Sequence, residues 1–221
     1  MTYTHLLFDH DGVLVNTEPL YLQAIQEQLA TLGIALRETD YIQNMAVGAD
    51  PWALARAAGC DEAAVDQLRD ARDARYRQLL STRPITMAGV DVLIAEVAEY
   101  VQLAIVTTSR DVDFDLIHAL DGQPRTSTTP DVVRHMDFIL TRSQYEKSKP
   151  DPQPYLLALS RFGIEPSQAL VIEDSERGLR SAVSAGIDCA AIYHPFTARQ
   201  CFTGARYRFA DLGELKQYLL G

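Results

Sequence analysis

Two aspartates separated by one residue follow a short apolar run near the start of the chain. Residues 4–8 form the run, and Asp9, His10, Asp11 and Gly12 come directly after it in the segment FDHDG. Two carboxylates at positions i and i+2 after a strand can face one cleft, where one acts as a nucleophile and the other as a general acid or base. Because Asp-x-Asp-Gly is also a common turn composition, this segment alone leaves a plain loop equally open.

A second acidic pair, Glu173 and Asp174, stands in the segment VIEDSERG after another apolar run. Oxygen ligands from Asp9 and Asp174, completed by a backbone carbonyl, waters and a phosphate oxygen, suit Mg²⁺, which rarely has an all-protein set of ligands. Alternatively, the pair is an acidic helix N-terminus that favours the helix dipole. That interpretation leaves the first acidic pair unexplained.

A hydroxyl and a cation complete the set of candidate residues. Thr107 ends the run in LAIVTTSR, where its hydroxyl and the backbone N–H groups that follow, beginning with Thr108, can bind a phosphate oxygen. Lys149 precedes Pro150 in KSKPDPQPY, and the prolines favour an extended backbone ahead of a helix. A cation fixed there can neutralise the attacked phosphate and keep Asp9 ionised. Lys147 is expected to be a solvated charge.

Alternating strands and helices must position these groups. Apolar runs predict strands over residues 4–8, 101–106, 138–140, 169–172 and 189–193, and helical spacing predicts helices over 152–162, with Asp151 as N-cap, and over 175–185. This alternation indicates an α/β fold, a Rossmann-like, doubly wound parallel sheet. Ligands of such sheets bind beyond the carboxyl ends of the strands.

Residues 17–82 break the alternation, because they hold several helical patterns and no convincing strand. Apolar residues at helical spacing predict one buried face, and residues 53–58 and 63–80 predict further helices; the face consists of Leu22, Ile25, Leu29 and Leu32. We therefore predict a catalytic core over 1–16 and 83–221 and an inserted helical cap over 17–82. Residues 122–133, polar and with two prolines, predict a surface loop.

Composition limits the classes of partner. The chain has 221 residues, 47% of them hydrophobic and 23% charged, without an apolar stretch of membrane-spanning length. No secretory signal is visible, so a cytoplasmic protein is expected. A net charge of −10 disfavours nucleic acid or an anionic membrane as the main partner. An anionic substrate would therefore need a local positive site.

The four segments together resemble the haloacid dehalogenase-like hydrolase superfamily, whose phosphatases carry such motifs in this order over nearly the whole chain. FDHDGV is similar to the first motif, Thr107 to the second, Lys149-Pro150 to the third and Glu173-Asp174-Ser175 to the fourth. DGVLVNTEPL, EDSERG and KPDPQPY are most similar to the branch that contains phosphoglycolate phosphatases and β-phosphoglucomutase.

The resemblance implies roles for these residues. Asp9 would form an aspartyl-phosphate, and Asp11 would protonate the leaving oxygen and then activate water. Thr107, Thr108 and Lys149 would hold the phosphoryl group. Mg²⁺ would be bound by Asp9, the backbone carbonyl of Asp11 and Asp174, with Glu173 helping directly or through water. The expected protein is a Mg²⁺-dependent phosphatase, a monomer, acting on a small phosphorylated sugar or organic acid.

Other activities within this superfamily stay open or are disfavoured by single residues. A phosphosugar mutase remains the alternative, although Tyr21 stands where mutase-like members carry a histidine. A dehalogenase would need neither Asp11 nor Asp174. A phosphonate-cleaving enzyme would need a cap lysine, and residues 17–82 contain none. A non-catalytic phosphate-binding protein would be expected to lack one of the chemical groups, all of which are present.

Three further expectations concern residues around the cleft. Strand alternation points His10 away from the two aspartates, which indicates a structural role. The segment 44–52, with Gly48, Pro51 and Trp52, is the preferred candidate for substrate specificity. Five cap arginines are candidate binders of a substrate anion, although most are expected to be solvated: Arg56, Arg69, Arg72, Arg75 and Arg77.

Overall fold

A parallel sheet of six strands forms the centre of the molecule, as seen in a computed structural model that describes residues 2–46, 48–120 and 131–221. The strands are β1 (His5–Phe8), β2 (Gln102–Val106), β3 (Phe138–Leu140), β4 (Ala169–Glu173), β5 (Asp188–Ile192) and β6 (Tyr207–Phe209). Their order in the sheet is β3-β2-β1-β4-β5-β6. The predicted doubly wound α/β fold is confirmed.

The central strands are continuous apolar runs because helices cover both faces of the sheet. All residues of β1 and β4 are buried. The chain runs from β1 outward to β3 and then returns to β4 on the other side of β1, which makes the β1–β4 boundary the switch point of the topology. The five predicted strands are present within one residue of their predicted ends. The sixth, β6, is short and only partly buried, and its apolar pattern is too weak to predict it.

Nine helices lie in the described part of the chain, together with the 3₁₀ turns Val133–His135, Arg142–Gln144 and Pro166–Gln168. The helices are α1 (Glu18–Ala30), α2 (Glu38–Ala46), α3 (Ala53–Ala57), α4 (Glu62–Thr82), α5 (Val90–Val97), α6 (Asp111–His118), α7 (Gln153–Phe162), α8 (Glu176–Ser184) and α9 (Leu212–Leu220). None of them is both long and apolar enough to cross a membrane.

Helix α7 begins one residue later than predicted. Pro152 is its N-cap, and Asp151 lies one position further out, where its Oδ1 accepts the backbone N–H of Gln153 at 2.9 Å. Proline has no N–H to satisfy and its φ is already helical, so it takes the position assigned to aspartate. Helix α8 lies one residue inside the predicted range at each end, and the Ser175 hydroxyl caps it by accepting the N–H of Gly178 at 3.2 Å.

Helices α1 to α4 follow one another between β1 and the rest of the sheet and share an apolar cluster of their own. The cluster includes Leu22, Ile25, Leu29, Leu36, Tyr41, Trp52, Ala55 and Val65. Leu32 was expected on the same face but is 39% exposed, because α1 ends at Ala30 and the chain turns before Leu32. The cluster packs the four helices against one another, and Phe196, in the loop after β5, also belongs to it.

The predicted loop over 122–133 falls mainly outside the described residues, which resume at Asp131. At its end the prediction is wrong, because Val132 is fully buried in the core beside β2 and Val133 begins a 3₁₀ turn. Because the residues before it are polar, nothing in the sequence indicated that Val132 is buried.

Candidate active site

The predicted residues meet at the carboxyl edge of the sheet. Phe8 is in register with both Ile105 and Ile172, so the residues that follow β1, β2 and β4 lie side by side. They line a cleft of about 930 Å³ that is closed on its other side by residues of α1 and α4. Its floor contains Asp9, Asp11, Thr108 and Asp174.

Lys149 contacts Asp9 directly. Its Nζ donates to Oδ1 of Asp9 at 2.9 Å, to Oε1 of Glu173 at 2.7 Å and to the carbonyl of Val106 at 2.7 Å. These contacts use all three ammonium hydrogens of a side chain that is 1% exposed, next to a cis peptide bond to Pro150. Burial alone would lower the pKa of Lys149, but Asp9 and Glu173 raise it, so the group is a fixed cation.

Three carboxylates crowd together beside this cation. One oxygen each of Asp9, Glu173 and Asp174 lies within 4.8 Å of the others. Burial, followed by the charge of Glu173, raises the pKa of Asp9 to about 6 although Lys149 opposes the shift. Burial, then Glu173 and Asp9, raise the pKa of Asp174 well above its usual value. One ammonium group therefore does not balance the negative charge of this cluster.

Asp174 is the carboxylate that most needs a cation. Within the described ranges of the chain, no donor lies within hydrogen-bond distance of its oxygens, and Nδ1 of His194 is 3.9 Å away. Glu173 differs, because Lys149, Tyr155 and both the N–H and the hydroxyl of Ser175 donate to it. Buried carboxylate oxygens without donors fit a hard divalent cation such as Mg²⁺. Asp9 and Asp174 are thus the available side-chain ligands, with Glu173 held behind them.

Asp11 occupies a different environment from Asp9. Its carboxylate accepts hydrogen bonds from the hydroxyls of Thr17 and Ser109. Burial would raise its pKa, but the charge of His10, 3.5 Å away, and the hydrogen bonds from Ser109 and Thr17 lower it below the usual range. Two aspartates with opposite pKa shifts, two residues apart, are typical of a pair with different tasks.

The two predicted threonines lie differently. Thr107 is fully buried, and its hydroxyl accepts the N–H of Ser109 at 3.0 Å while its carbonyl accepts the Tyr145 hydroxyl at 2.6 Å. Thr108 lines the cleft, where its hydroxyl accepts from Arg177 at 2.7 Å. The structure therefore places Thr108, and not the Thr107 side chain, on the cleft surface.

His10 is buried as expected, but it is not remote from the aspartates. Its ring packs on Phe114, and its Nε2 lies 2.9 Å from Nε2 of His118. Its Nδ1 lies 3.5 Å from Oδ2 of Asp11. The loop after β1 turns at Gly12 instead of continuing the strand, so strand alternation no longer describes the direction of this side chain.

Helices α1, α2 and α4 form the opposite wall of the cleft. Among the five candidate arginines, Arg72 reaches it, with its guanidinium 4.5 Å from the ring centre of Tyr21 and its Nε 2.7 Å from Asp73. The other four pair with carboxylates: Arg56 with Asp50 and Glu62, Arg69 with Asp50 and Asp66, Arg75 with Glu27, and Arg77 with Asp113.

The predicted specificity segment borders a smaller pocket of about 280 Å³ beside this wall. Asn44, Met45, Ala49, Asp50, Pro51 and Trp52 line it together with Tyr21, Tyr41, Arg69 and Arg72. Trp52 itself is 3% exposed and belongs to the apolar cluster of the cap, so it supports the pocket more than it presents a surface to a ligand.

Sequence reasoning missed the groups that hold the acidic residues in place. Thr17 and Ser109 donate to Asp11, and Tyr155 donates to Glu173 at 3.0 Å. Ser109 lies within the predicted second motif, which was the available signal for it. The other two are separated from their partners by a loop or a whole helix, and nothing in their local sequence marks the contact.

Comparison with known proteins gives matches over most of the chain. A family model described as haloacid dehalogenase-like hydrolase matches residues 6–192. The protein CbbY of Rhodobacter capsulatus is 30% identical, with 94% of this chain and 92% of the relative covered. N-acetylmuramic acid 6-phosphate phosphatase of Pseudomonas aeruginosa is 28% identical, with 86% of this chain and 82% of the relative covered.

A solved structure agrees with the fold over almost the full length. It is a variant of CbbY from Rhodobacter sphaeroides in complex with xylulose-(1,5)bisphosphate, at a TM-score of 0.75 and 26% sequence identity. The alignment covers 96% of both chains. The similarity therefore includes the inserted helices as well as the sheet.

Proposed function

Because the chain belongs to the haloacid dehalogenase-like hydrolase family, we propose that it is a Mg²⁺-dependent phosphatase that forms an aspartyl-phosphate on Asp9. The observation that carries this proposal is the contact between Asp9 and Lys149, 2.9 Å apart, beside the carboxylates of Glu173 and Asp174. Asp9, the candidate nucleophile, and Asp174, a candidate metal ligand, line the floor of one cleft, and the buried ammonium group of Lys149 contacts Asp9.

The donor set around Asp9 fits a magnesium ion. Asp9 and Asp174 would hold it, with the backbone carbonyl of Asp11 as a further ligand and Glu173 behind them. When bound, the ion would neutralise charge on the phosphoryl oxygens and on the nucleophile. Lys149 meanwhile keeps the pair Asp9 and Glu173 from carrying two uncompensated charges.

The first chemical step is attack by a carboxylate oxygen of Asp9 on phosphorus. The bond between Asp9 and phosphorus forms while the bond from phosphorus to the ester oxygen breaks, and Asp11 gives that oxygen a proton. Asp11 is ionised in its hydrogen bonds to Thr17 and Ser109. The approach of an anionic phosphoryl group raises the pKa of Asp11, so that it takes up a proton from water before it donates that proton to the leaving oxygen.

The second step is hydrolysis of the aspartyl-phosphate. Asp11, ionised after the first step, takes a proton from water, and the resulting oxygen attacks phosphorus and releases Asp9 with inorganic phosphate. Thr108, at the cleft surface, and the backbone N–H groups after β2 are positioned to bind phosphoryl oxygens.

The substrate class follows from the cleft and the relatives. A cleft of about 930 Å³ with several arginines and carboxylates in its lining fits a small, polar, phosphorylated molecule. One relative is a phosphatase of N-acetylmuramic acid 6-phosphate, and another was solved with xylulose-(1,5)bisphosphate. A sugar phosphate is accordingly the proposed substrate, bound by a monomer whose residues 17–82 act as a cap that excludes water.

Phosphate release from a panel of esters tests the proposal. The panel is p-nitrophenyl phosphate with sugar and organic-acid phosphates, assayed with Mg²⁺ and with EDTA, for wild type, Asp9→Asn and Asp70→Asn. Asp70 is an exposed carboxylate on α4 and serves as the control. We expect release that requires metal, survives in Asp70→Asn and is lost in Asp9→Asn. Conversion of a sugar phosphate to its isomer without release would support a mutase instead, and a folded wild type without any turnover would contradict the proposal.

A further inference from the structure

Two buried histidines connect helix α6 to Asp11. Nε2 of His10 lies 2.9 Å from Nε2 of His118, the last residue of α6. Nδ1 of His10, the other ring nitrogen, is buried without a hydrogen-bond partner among the described residues, and Oδ2 of Asp11 lies 3.5 Å from it. The rings of both histidines pack on Phe114, with centroids 4.8 Å and 4.5 Å away. We call His10 and His118 the histidine pair.

The hydrogens of the histidine pair follow from these contacts. A hydrogen bond between two imidazole nitrogens needs one N–H and one bare nitrogen. If a neutral His10 donated from Nε2, its Nδ1 would be bare and would face a carboxylate oxygen, lone pair against lone pair. If His118 donates to Nε2 of His10, or if His10 carries both hydrogens, Nδ1 of His10 bears an N–H, and the positive end of that bond lies near the Asp11 carboxylate, whose Oδ2 is 3.5 Å from Nδ1. The nearby carboxylate of Asp11 therefore favours the states in which Nδ1 of His10 carries a hydrogen.

We propose that the histidine pair consists of positioning residues for Asp11: His118 fixes the ring of His10 so that its Nδ1–H faces the Asp11 carboxylate. This inference rests on the proposed function, in which Asp11 protonates the leaving oxygen. Asp11 and Ser109 line the cleft and can meet a substrate, whereas His10 and His118 are buried behind it. Oδ2 of Asp11 is thus held between the Ser109 hydroxyl and the His10 ring.

A displaced Asp11 would matter most for esters with a poor leaving group. A sugar oxygen cannot leave without a proton, whereas p-nitrophenolate leaves readily without one. Because kcat/KM reports events up to the first irreversible step, cleavage of the ester bond, it is not affected by the later hydrolysis of the aspartyl-phosphate. The ratio of kcat/KM for a sugar phosphate to that for p-nitrophenyl phosphate therefore measures how well Asp11 is placed.

The first test changes His118. His118→Phe keeps an aromatic ring but removes the contact with His10, and His118→Gln restores an amide near the position of Nε2. We expect His118→Phe to lower kcat/KM about tenfold or more on the best sugar phosphate and by less than about threefold on p-nitrophenyl phosphate. His118→Gln should recover most of the loss. His5→Phe is the matched control, since His5 is a buried histidine at the other end of β1, bonded to Gln102 at 2.7 Å.

A second pair of variants distinguishes the role of Nδ1 of His10 from that of Nε2. The amide of His10→Asn lies near the position of Nδ1, and that of His10→Gln lies near Nε2. We expect the asparagine variant to keep the ratio near that of wild type and the glutamine variant to lower it. Equal losses on both substrates in all these folded variants would overturn the inference.

A spectroscopic measurement tests whether Nδ1 of His10 carries a hydrogen, and it does not require catalytic turnover. In ¹⁵N-histidine-labelled wild type, we expect a hydrogen on Nδ1 of His10, assigned by the loss of that signal in His10→Asn. A bare Nδ1 would contradict the inference, whatever the kinetics show. A wild type without phosphatase activity would instead contradict the proposed function and leave this spectrum to decide the arrangement of the pair.

Discussion

The charge of Lys149 is enclosed by the groups it neutralises. Its Nζ lies within 2.9 Å of Asp9 and Glu173 oxygens, and less than a tenth of the Glu173 or Lys149 side chain is exposed. Removing one partner of a buried ion pair leaves the other charge without compensation in a medium of low dielectric constant. Lys149, which we propose to compensate the charges of Asp9 and Glu173 in the active site, is therefore also a residue on which the fold depends.

Replacing Lys149 by methionine should destabilise the protein and abolish turnover. We expect the free energy of unfolding to fall by about 3–5 kcal/mol, because Asp9 and Glu173 lose their counter-charge. Urea unfolding followed by circular dichroism measures this change. Lys147→Met is the control, since that side chain is 71% exposed, and it should stay within about 0.5 kcal/mol of wild type. A Lys149→Met protein as stable as wild type would contradict the charge argument.

Asp174 should couple metal binding to stability. Mg²⁺ that binds the folded protein alone raises its stability by an amount set by the ratio of metal concentration to Kd, about 2.7 kcal/mol at a hundredfold excess over Kd. We expect Mg²⁺ to raise the Tm of wild type and of Asp70→Asn, and to have little effect on Asp174→Asn. Thermal unfolding with Mg²⁺ and with EDTA measures this, and an undiminished shift in Asp174→Asn would remove this residue from the metal site.

At the scale of elements, helix α8 must lie unusually close to the end of β4. A Cβ atom on Gly178, in the first turns of α8, would lie 1.8 Å from Oε1 of Glu173. On the other side of the cluster, a Cβ atom on Gly12 would lie 2.2 Å from Oδ2 of Asp174, and Gly12 has a φ of +82°. Both glycines leave room for the buried carboxylates, so a helix and a loop can close around the acidic cluster.

Gly178→Ala should therefore destabilise a helix that alanine would ordinarily favour. In an open helix the change from glycine to alanine gains roughly 0.5–1 kcal/mol. Here we expect a net loss of at least about 1 kcal/mol, with reduced activity, since Glu173 must move from Lys149 and Ser175. Ser184→Ala on the exposed face of α8 is the control and should stay within about 0.5 kcal/mol of wild type. Chemical unfolding of both variants gives the comparison, and a stabilised Gly178→Ala would refute the close approach.

At the scale of the whole molecule, ion pairs join helix α4 to the start of helix α6, which follows strand β2. Arg77 on α4 lies 3.1 Å from Asp113 on α6, and Arg110 bridges Asp113 at 2.8 Å and Asp73 at 2.5 Å. Of these residues, Asp73, Arg110 and Asp113 line the cleft. Partly exposed pairs of this kind contribute about 0–1 kcal/mol each and weaken with salt. Pairs of this strength fit the proposed role of residues 17–82 as a cap over the cleft.

Arg77→Met should weaken catalysis more than it weakens the fold. We expect kcat/KM to fall by about two- to fivefold at low ionic strength, and the difference from wild type to shrink at high salt. Arg75→Met is the matched control, because Arg75 lies on the same helix but pairs with Glu27 inside the cap at 2.6 Å. Steady-state kinetics over a range of salt concentrations measures both. Equal changes of kcat/KM in Arg77→Met and Arg75→Met would show that the ion pair between Arg77 and Asp113 has no special role in catalysis.

The sequence by itself determined the parts of this protein that depend on local pattern. Continuous apolar runs gave five of the strands, because buried parallel strands need apolar residues on both faces. The parallel topology then brought the ends of β1, β2 and β4 to one edge, so Asp9, Thr107 and Asp174 could be grouped before their distances were known. The family followed from the same motifs and is confirmed by the match over residues 6–192.

Only the tertiary structure decided how the charges and hydrogen bonds are shared among these residues. Lys149 bridges two carboxylates, and Thr17 and Ser109 donate hydrogen bonds to Asp11. Glu173 has hydrogen-bond donors, whereas Asp174 has none among the described residues. All of these arrangements depend on contacts between segments that the sequence does not show to be neighbours. The direction of the His10 side chain depends likewise on the turn at Gly12 and on packing against α6. Local pattern fixes where a side chain is attached, but packing in three dimensions fixes which atom it meets, and hydrogen bonds and pKa values depend on that meeting.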